Sequence, residues 1–162
     1  MRRASWSFSV MLLAASGAWA AYDANGVALG ASERDVRNAF PSAYCKPLEW
    51  QSRAADRRCD DAEVSFGGVS GRITFYLKKD AVQAFDLRFE TRHLPRLKEV
   101  LQKRYGPPTA EANDLGKDGG RIYKARWESG GDSAVLVAPL QEKRSQLSVS
   151  RGNFSEEIYR VR

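Results

Sequence analysis

The run RIYKARWESGGDSAVLVAPL, residues 121–140, leaves this chain little conformational freedom. Gly130-Gly131 lies at its centre, and a two-residue turn there needs positive φ at both positions, which glycine adopts without steric cost. That turn fixes a register. Trp127 falls opposite Ala134, Ala125 opposite Leu136 and Tyr123 opposite Ala138, all on one face, with Lys124, Arg126 and Glu128 on the other. The pattern specifies an antiparallel hairpin with one buried and one solvated face.

The same alternation occurs in GRITFYLKK and AFDLRFE. Ile73, Phe75 and Leu77 point one way, with Arg72, Thr74 and Tyr76 the other. Phe85, Leu87 and Phe89 share a face, opposed by Asp86, Arg88 and Glu90. A hairpin around Lys79-Asp80-Ala81 follows. Pairing Phe75 with Phe85 requires an odd number of loop residues or a bulge. A plain two-residue turn at Lys79-Asp80 would set Phe75 opposite Ala84 and turn the phenylalanine face outward. Val64 with Phe66, and Leu147 with Val149, mark further strands.

Two segments have a helical period. In ASERDVRNAFP, Ser32 is an N-cap with Asp35 three residues on, Val36, Ala39 and Phe40 form a short stripe, and Pro41 stops the helix. In HLPRLKEVLQKRYGPP, Pro95 suits the first turn, Leu97, Val100, Leu101 and Tyr105 form the stripe, and Gly106 and Pro107 end it. Residues 42–61 show no period, 109–120 read as a polar linker, and FSEEIYRVR as a short terminal helix or frayed tail. The order is helix, three strands, helix, three strands. It predicts an α+β fold: an antiparallel sheet with helices packed on one face, in a single domain over 21–162. Segments 27–90 and 91–152 read as a duplicated helix-plus-three-strands unit.

Residues 1–20, MRRASWSFSVMLLAASGAWA, have the three parts of a secretory signal peptide: Arg2-Arg3, an apolar run centred on Val10 to Ala15, and the A-x-A-like site Ala18-Trp19-Ala20. The run is shorter than the about 20 residues of a spanning helix. No integral membrane segment is therefore expected after cleavage, and the residue immediately after the cleavage site is Ala21, not a cysteine that could accept a lipid. Removing Arg2 and Arg3 from the 26 basic residues leaves 24 against 20 acidic ones, a net charge of +4 over residues 21–162. The signs are interspersed, as in RLKEVLQKR, which argues against a nucleic-acid partner.

Only two cysteines occur, Cys45 and Cys59, in CKPLEWQSRAADRRC. Their spacing is too long for a C-x-x-C redox pair, and structural zinc wants four ligands where the chain has one histidine, His93. An exported chain meets an oxidising compartment. A Cys45–Cys59 disulfide strapping an irregular loop is expected, with no metal and no cofactor.

GVALGASERDVRNAFP resembles the opening of small periplasmic domains of the SmpA/OmlA kind, in which a glycine-containing turn, a polar N-cap and a short helix precede a β-meander. The paired helix-plus-strands layout is similar to that of β-lactamase-inhibitor-like proteins. Either resemblance implies a binding platform without catalysis. The chain departs from the assembly lipoproteins in lacking a lipid-acceptor cysteine.

Catalytic sets are scarce. His93 sits among charged residues without a companion motif, so a capping or surface role is expected. Asp60-Asp61 and Glu156-Glu157 are sequence neighbours, which do not by that fact converge across a cleft. FGGVSG lacks the G-x-G-x-x-G spacing of a phosphate cradle. The strap offers Trp50, Arg53, Arg57 and Arg58, residue types that dominate interfaces. Trp50 has a second reading, burial in the core, and the arginines a second reading as a solvated loop with local ion pairs. The function expected is a secreted or periplasmic, non-enzymatic domain that binds a protein through the strap and the polar face of a sheet. Alternatives are an inhibitor or immunity protein against one envelope-acting enzyme, and a hydrolase using carboxylates or His93. Unreduced mass spectrometry of the exported protein should give the mass of residues 21–162 less two hydrogen atoms. A retained leader, or two thiols open to alkylation, would contradict this.

Overall fold

In the computed structural model, which describes residues 22–160, the chain runs through ten strands and three helices. The leader read at residues 1–20 lies outside that range. A two-stranded ribbon, β1 (Asp23–Ala24) and β2 (Val27–Ala28), precedes α1 (Glu33–Ala39). A first meander follows: β3 (Tyr44–Pro47), β4 (Arg57–Phe66), β5 (Val69–Lys78) and β6 (Ala81–Glu90). A 3-10 turn at Thr91–His93 leads into α2 (Leu94–Tyr105). The second meander is β7 (Ala110–Leu115), β8 (Arg121–Ser129), β9 (Asp132–Pro139) and β10 (Arg144–Arg151), and α3 (Phe154–Glu157) closes the described chain. The eight long-sheet strands lie in the order β3-β4-β5-β6-β10-β9-β8-β7, antiparallel throughout.

Local chemistry accounts for the elements. The Ser32 hydroxyl accepts from Asp35 N–H at 3.2 Å while the Asp35 carboxylate accepts from Ser32 N–H at 2.9 Å, a reciprocal capping box. α2 buries Leu97, Val100, Leu101 and Tyr105 and ends at Gly106, with φ of 79°. The β8–β9 register is the one the glycine turn demands, Trp127 opposite Ala134, Ala125 opposite Leu136 and Tyr123 opposite Ala138. The β5–β6 hairpin satisfies both of its constraints. Lys79 and Asp80 make a two-residue turn at positive φ, and a bulge at Gln83 shifts the register so that Phe75 still faces Phe85. Gly67 serves twice in the β4–β5 turn. Its φ is 59°, and a Cβ there would lie 2.5 Å from a Val100 methyl, so α2 packs directly on the turn.

Each meander has four strands where the apolar pattern marks three. The extra ones, β3 and β7, are the two edges. β7 buries none of its six side chains fully, so it has no apolar alternation to read. β3 turns only Cys45 into the core.

The disulfide forms within this edge. Cys45 and Cys59 are register partners and are bonded to each other. Leu48 N–H donates to the Asp56 carbonyl at 2.9 Å, so even-numbered β3 residues carry the ladder bonds and Cys45–Cys59 is a non-hydrogen-bonded pair. Side chains approach most closely at such pairs. Pro47 occupies the next one, where its missing N–H would face away from β4, as an edge strand tolerates.

α1 and α2 lie on the same face, and one apolar cluster runs beneath them through both meanders, from Val36, Phe40 and Phe75 to Trp127, Leu136 and Leu147. A smaller cluster occupies the opposite face, where Phe154 and Ile158 of the terminal segment cover Tyr76 and Ala84. No helix among the described residues is long and apolar enough to cross a membrane. Closing a loop of about 15 residues contributes about 3 kcal/mol. Replacing both cysteines by serine should therefore lower Tm by roughly 6–12 °C in a thermal melt, with the far-UV spectrum of the folded state unchanged.

Candidate functional site

Strand alternation puts Arg58 and Asp60 of β4, Arg72, Thr74 and Tyr76 of β5, and Ala84, Asp86 and Arg88 of β6 on the face away from α1 and α2. Two chain segments far apart in sequence fold over this face. The Trp50 indole N–H donates to the Ile158 carbonyl at 3.0 Å, and its ring stacks on Tyr159 with centroids 6.0 Å apart and planes 19° off parallel. Ser52 donates to the Glu157 carbonyl at 3.4 Å, and Phe154 packs on Tyr76 at 5.5 Å. The strapped loop and the terminal segment thus hold each other in place. Between them and the sheet lies an open cleft of about 540 Å³, with Trp50 and Tyr159 as its wall. A neighbouring cleft of about 590 Å³ extends toward the Gly67 turn, and Ala62, Arg72 and Arg88 belong to both.

The floor is polar and unevenly charged. Arg58 grips Asp60 with two bonds, Nε at 2.8 Å and Nη2 at 2.7 Å, and Thr74 donates to the same carboxylate at 2.7 Å. Burial alone would raise Asp60; the bonds from Arg58 and Thr74 outweigh it and hold the carboxyl below its ordinary range. Asp86, two strands away on the same face, shows the opposite balance. Burial raises its carboxyl against the pull of Ser148, Arg88 and Gln146. The Tyr76 phenol is pushed up to about 12, chiefly by burial and then by Asp86. Arg88 donates to Gln146 Oε1 at 3.2 Å.

The sequence-derived candidates divide. Trp50 and Arg58 reach the cleft. Trp50 is neither a core residue nor a free anchor: it is half-buried and ties the terminal segment down. Arg57 lies on the other side of the sheet, where it clamps Glu33 of α1 at 2.6 Å. That bond, with help from Arg37, holds the Glu33 carboxyl low against the effect of burial. Arg53 is exposed on the loop and lines neither cleft. Glu33 also lies near the sulfurs of Cys45 and Cys59, but these are bonded to each other and offer no thiolate to a metal. His93 holds the N-cap position of α2, half-buried, without a side-chain capping bond. Asp60 and Asp61 diverge in their partners, for Asp61 is buried and accepts from Glu63 N–H at 3.1 Å. Arg72, Thr74, Tyr76, Asp86, Arg88 and Tyr159 complete the site. The alternation in GRITFYLKK and AFDLRFE had assigned the first five to a polar face, but nothing in the pattern marked that face as roofed.

No protein-family model matches the chain, and no curated protein matches it. Among solved structures, a DUF4309 family protein (YjgB) from Bacillus subtilis subsp. subtilis strain 168 is similar at 16% identity. The match covers 78% of this chain and 82% of that one, with a TM-score of 0.43, and no residue role is carried over from it.

Asp86 faces Thr74 and Tyr76 on β5, Arg88 on its own strand, and Gln146 and Ser148 on β10. A carboxyl raised by folding contributes stability that is complete below its unfolded pKa and is lost as pH rises through its folded one. Asp86→Asn should therefore raise Tm at neutral pH. The gain should vanish below about pH 3.9, the ordinary aspartate value. Thermal melts across that range, compared with the unsubstituted protein, check both the sign and the window.

Proposed function

We propose that this chain is an exported, non-enzymatic binding domain, and that its protein partner sits on the polar sheet face in the cleft walled by Trp50 and Tyr159. One observation carries the reading. Segments separated by 108 residues are bonded together above polar strands, and they leave an open, mixed-charge cleft rather than a sealed core. A loop fixed at one end by a disulfide and at the other by a tryptophan loses little entropy when a partner docks. The wall supplies stacked aromatics and the floor supplies arginines, the residue types that concentrate binding energy. Export is supported by the leader-like residues 1–20 and by the Cys45–Cys59 bond, which persists in oxidising compartments such as the periplasm or the extracellular space. An inhibitor or immunity protein would be a narrower form of the same reading.

One observation favours an enzymatic alternative. Asp60 and Asp86 share the cleft, with carboxyls displaced in opposite directions, the division of labour that an acid and a base require. Against it, Asp60 is fully engaged by Arg58 and Thr74. His93 lines neither cleft, so no imidazole base joins the set.

A photo-crosslinking amino acid at Thr74 should capture a discrete protein from envelope extract, whereas one at Lys117, on the far turn, should not. Tyr159→Ala should weaken that capture by about tenfold or more, corresponding to about 1.4 kcal/mol. Equal capture from both positions, or saturable capture unaffected by Tyr159→Ala, would overturn the reading. Turnover in a glycoside and ester substrate panel that disappears with Asp86→Asn would replace it with the enzymatic one.

A further inference from the structure

Arg72 and Arg88 are direct register partners on adjacent strands, and both point onto the polar face. Like charges directly opposite each other in a sheet are unfavourable. An acid across from such a residue would instead be favourable. Here neither guanidinium makes an ion pair among the described residues, although arginines nearby do: Arg58 with Asp60 and Arg92 with Glu90. Arg88 is bonded only to the neutral amide of Gln146. Gly71 precedes Arg72, and a Cβ there would meet the Arg88 carbonyl at 2.6 Å, so the two strands are drawn together at this point.

The pair also stands where the two clefts meet. Together these clefts form a trough along β5 from Ser70 to Tyr76, about 20 Å long at roughly 3.3 Å per residue. An extended peptide of about six residues has that length.

From this we infer that Arg72 and Arg88 form a receptor for one carboxylate, carried by an acidic residue in an otherwise neutral, extended peptide segment of the partner. The inference rests on the protein-binding reading and specifies what that partner presents. Guanidiniums carried at directly opposed strand positions can both donate charge-assisted hydrogen bonds to one carboxylate, with Arg88 exchanging its bond to Gln146 on β10 for the anion, which also removes the repulsion between them. The rest of the trough selects against a polyanion. Asp61, Glu63 and Asp86 line it without an ion-pair partner among the described residues, against Arg144 as the one further unpaired arginine, so a chain charged at every repeat would meet acids on either side of the pair. A single carboxylate with neutral neighbours meets none of that opposition, and an apolar side chain placed toward Tyr76 would lie against the Trp50–Tyr159 wall.

The test uses the oxidised protein, residues 21–162, labelled with nitrogen-15. It is titrated with capped hexapeptides that contain one phenylalanine and either one glutamate or one glutamine, and separately with inorganic phosphate and tripolyphosphate. The glutamate peptide should saturate in the millimolar range or below and should shift the Arg72 and Arg88 Nε–H resonances together with the Trp50 indole N–H. The glutamine peptide should bind about tenfold more weakly or worse. Arg72→Gln should abolish that preference while leaving Tm the same or higher, since it removes one of two opposed charges. That separates loss of the site from loss of the fold. Equal binding of the two peptides, shifts confined to other arginines, or tighter binding of tripolyphosphate than of the glutamate peptide would overturn the inference. If the titration succeeds and crosslinking at Thr74 captures no protein, the carboxylate site stands and the protein-partner reading falls. If crosslinking succeeds and the titration fails, only the carboxylate site falls.

Discussion

The pairing of β6 with β10 joins two four-stranded ribbons into one sheet. Leu87 faces Leu147 across that seam and Phe85 faces Val149, all buried. Because the last strand of each meander meets the last strand of the other, the two halves run outward from the seam in opposite directions. Both then present their apolar side to the same layer of helices. A slip of one residue at the seam would exchange the faces of half the molecule. The bulge at Gln83 is what allows β6 to satisfy two partners. Its register with β5 and its register with β10 both keep Phe85 and Leu87 on the helical side.

With one face committed to the helices, the other is left to the chain ends and loops. The strap and the terminal segment are each too short to fold alone. They become ordered by bonding to each other above Tyr76 and Ala84, through Trp50, Ser52, Phe154 and Ile158. The disulfide acts on this arrangement from the opposite side of the sheet. Cys45 and Cys59 are in the main core, yet the loop they close carries the tryptophan that walls the cleft. A covalent constraint beneath the sheet therefore sets the position of a side chain above it. Arg57, read as part of a contact surface, lies on the helical side of the sheet and holds α1 to β4 through Glu33.

Elements whose side chains alternate between two environments were legible in advance. The β8–β9 register, the capping box at Ser32 and the ends of α2 all follow from residue type and spacing. The β5–β6 hairpin was legible as a choice between a loop and a bulge, and Gln83 resolves it. The edge strands were not legible, because β7 has almost nothing to bury and β3 contributes a single inward residue. The site was half legible. Alternation named the polar face of β5 and β6, and the strap was marked by its cysteines and Trp50. Their meeting depends on a contact between Trp50 and residues 158 and 159, which no local pattern can encode.

The two halves provide an internal control for where function lies. They share the order helix, then four antiparallel strands, so β5–β6 corresponds to β9–β10. On the polar face the first pair carries Arg72 opposite Arg88 and Thr74 opposite Asp86. At the places matched by distance from the hairpin turn, the second pair carries Ser133 opposite Ser150 and Val135 opposite Ser148, with no charge at all. Farther out in the second half, charges are matched: Lys124 meets Asp114 at 2.8 Å and Arg126 meets Glu128 at 3.0 Å. Topology alone therefore does not require opposed arginines or a half-buried, destabilised carboxyl, since the matching half folds without them. Groups that weaken a fold are gathered in one half, beside a cover built from distant segments over Tyr76 and Ala84, and on that asymmetry the proposed carboxylate site rests.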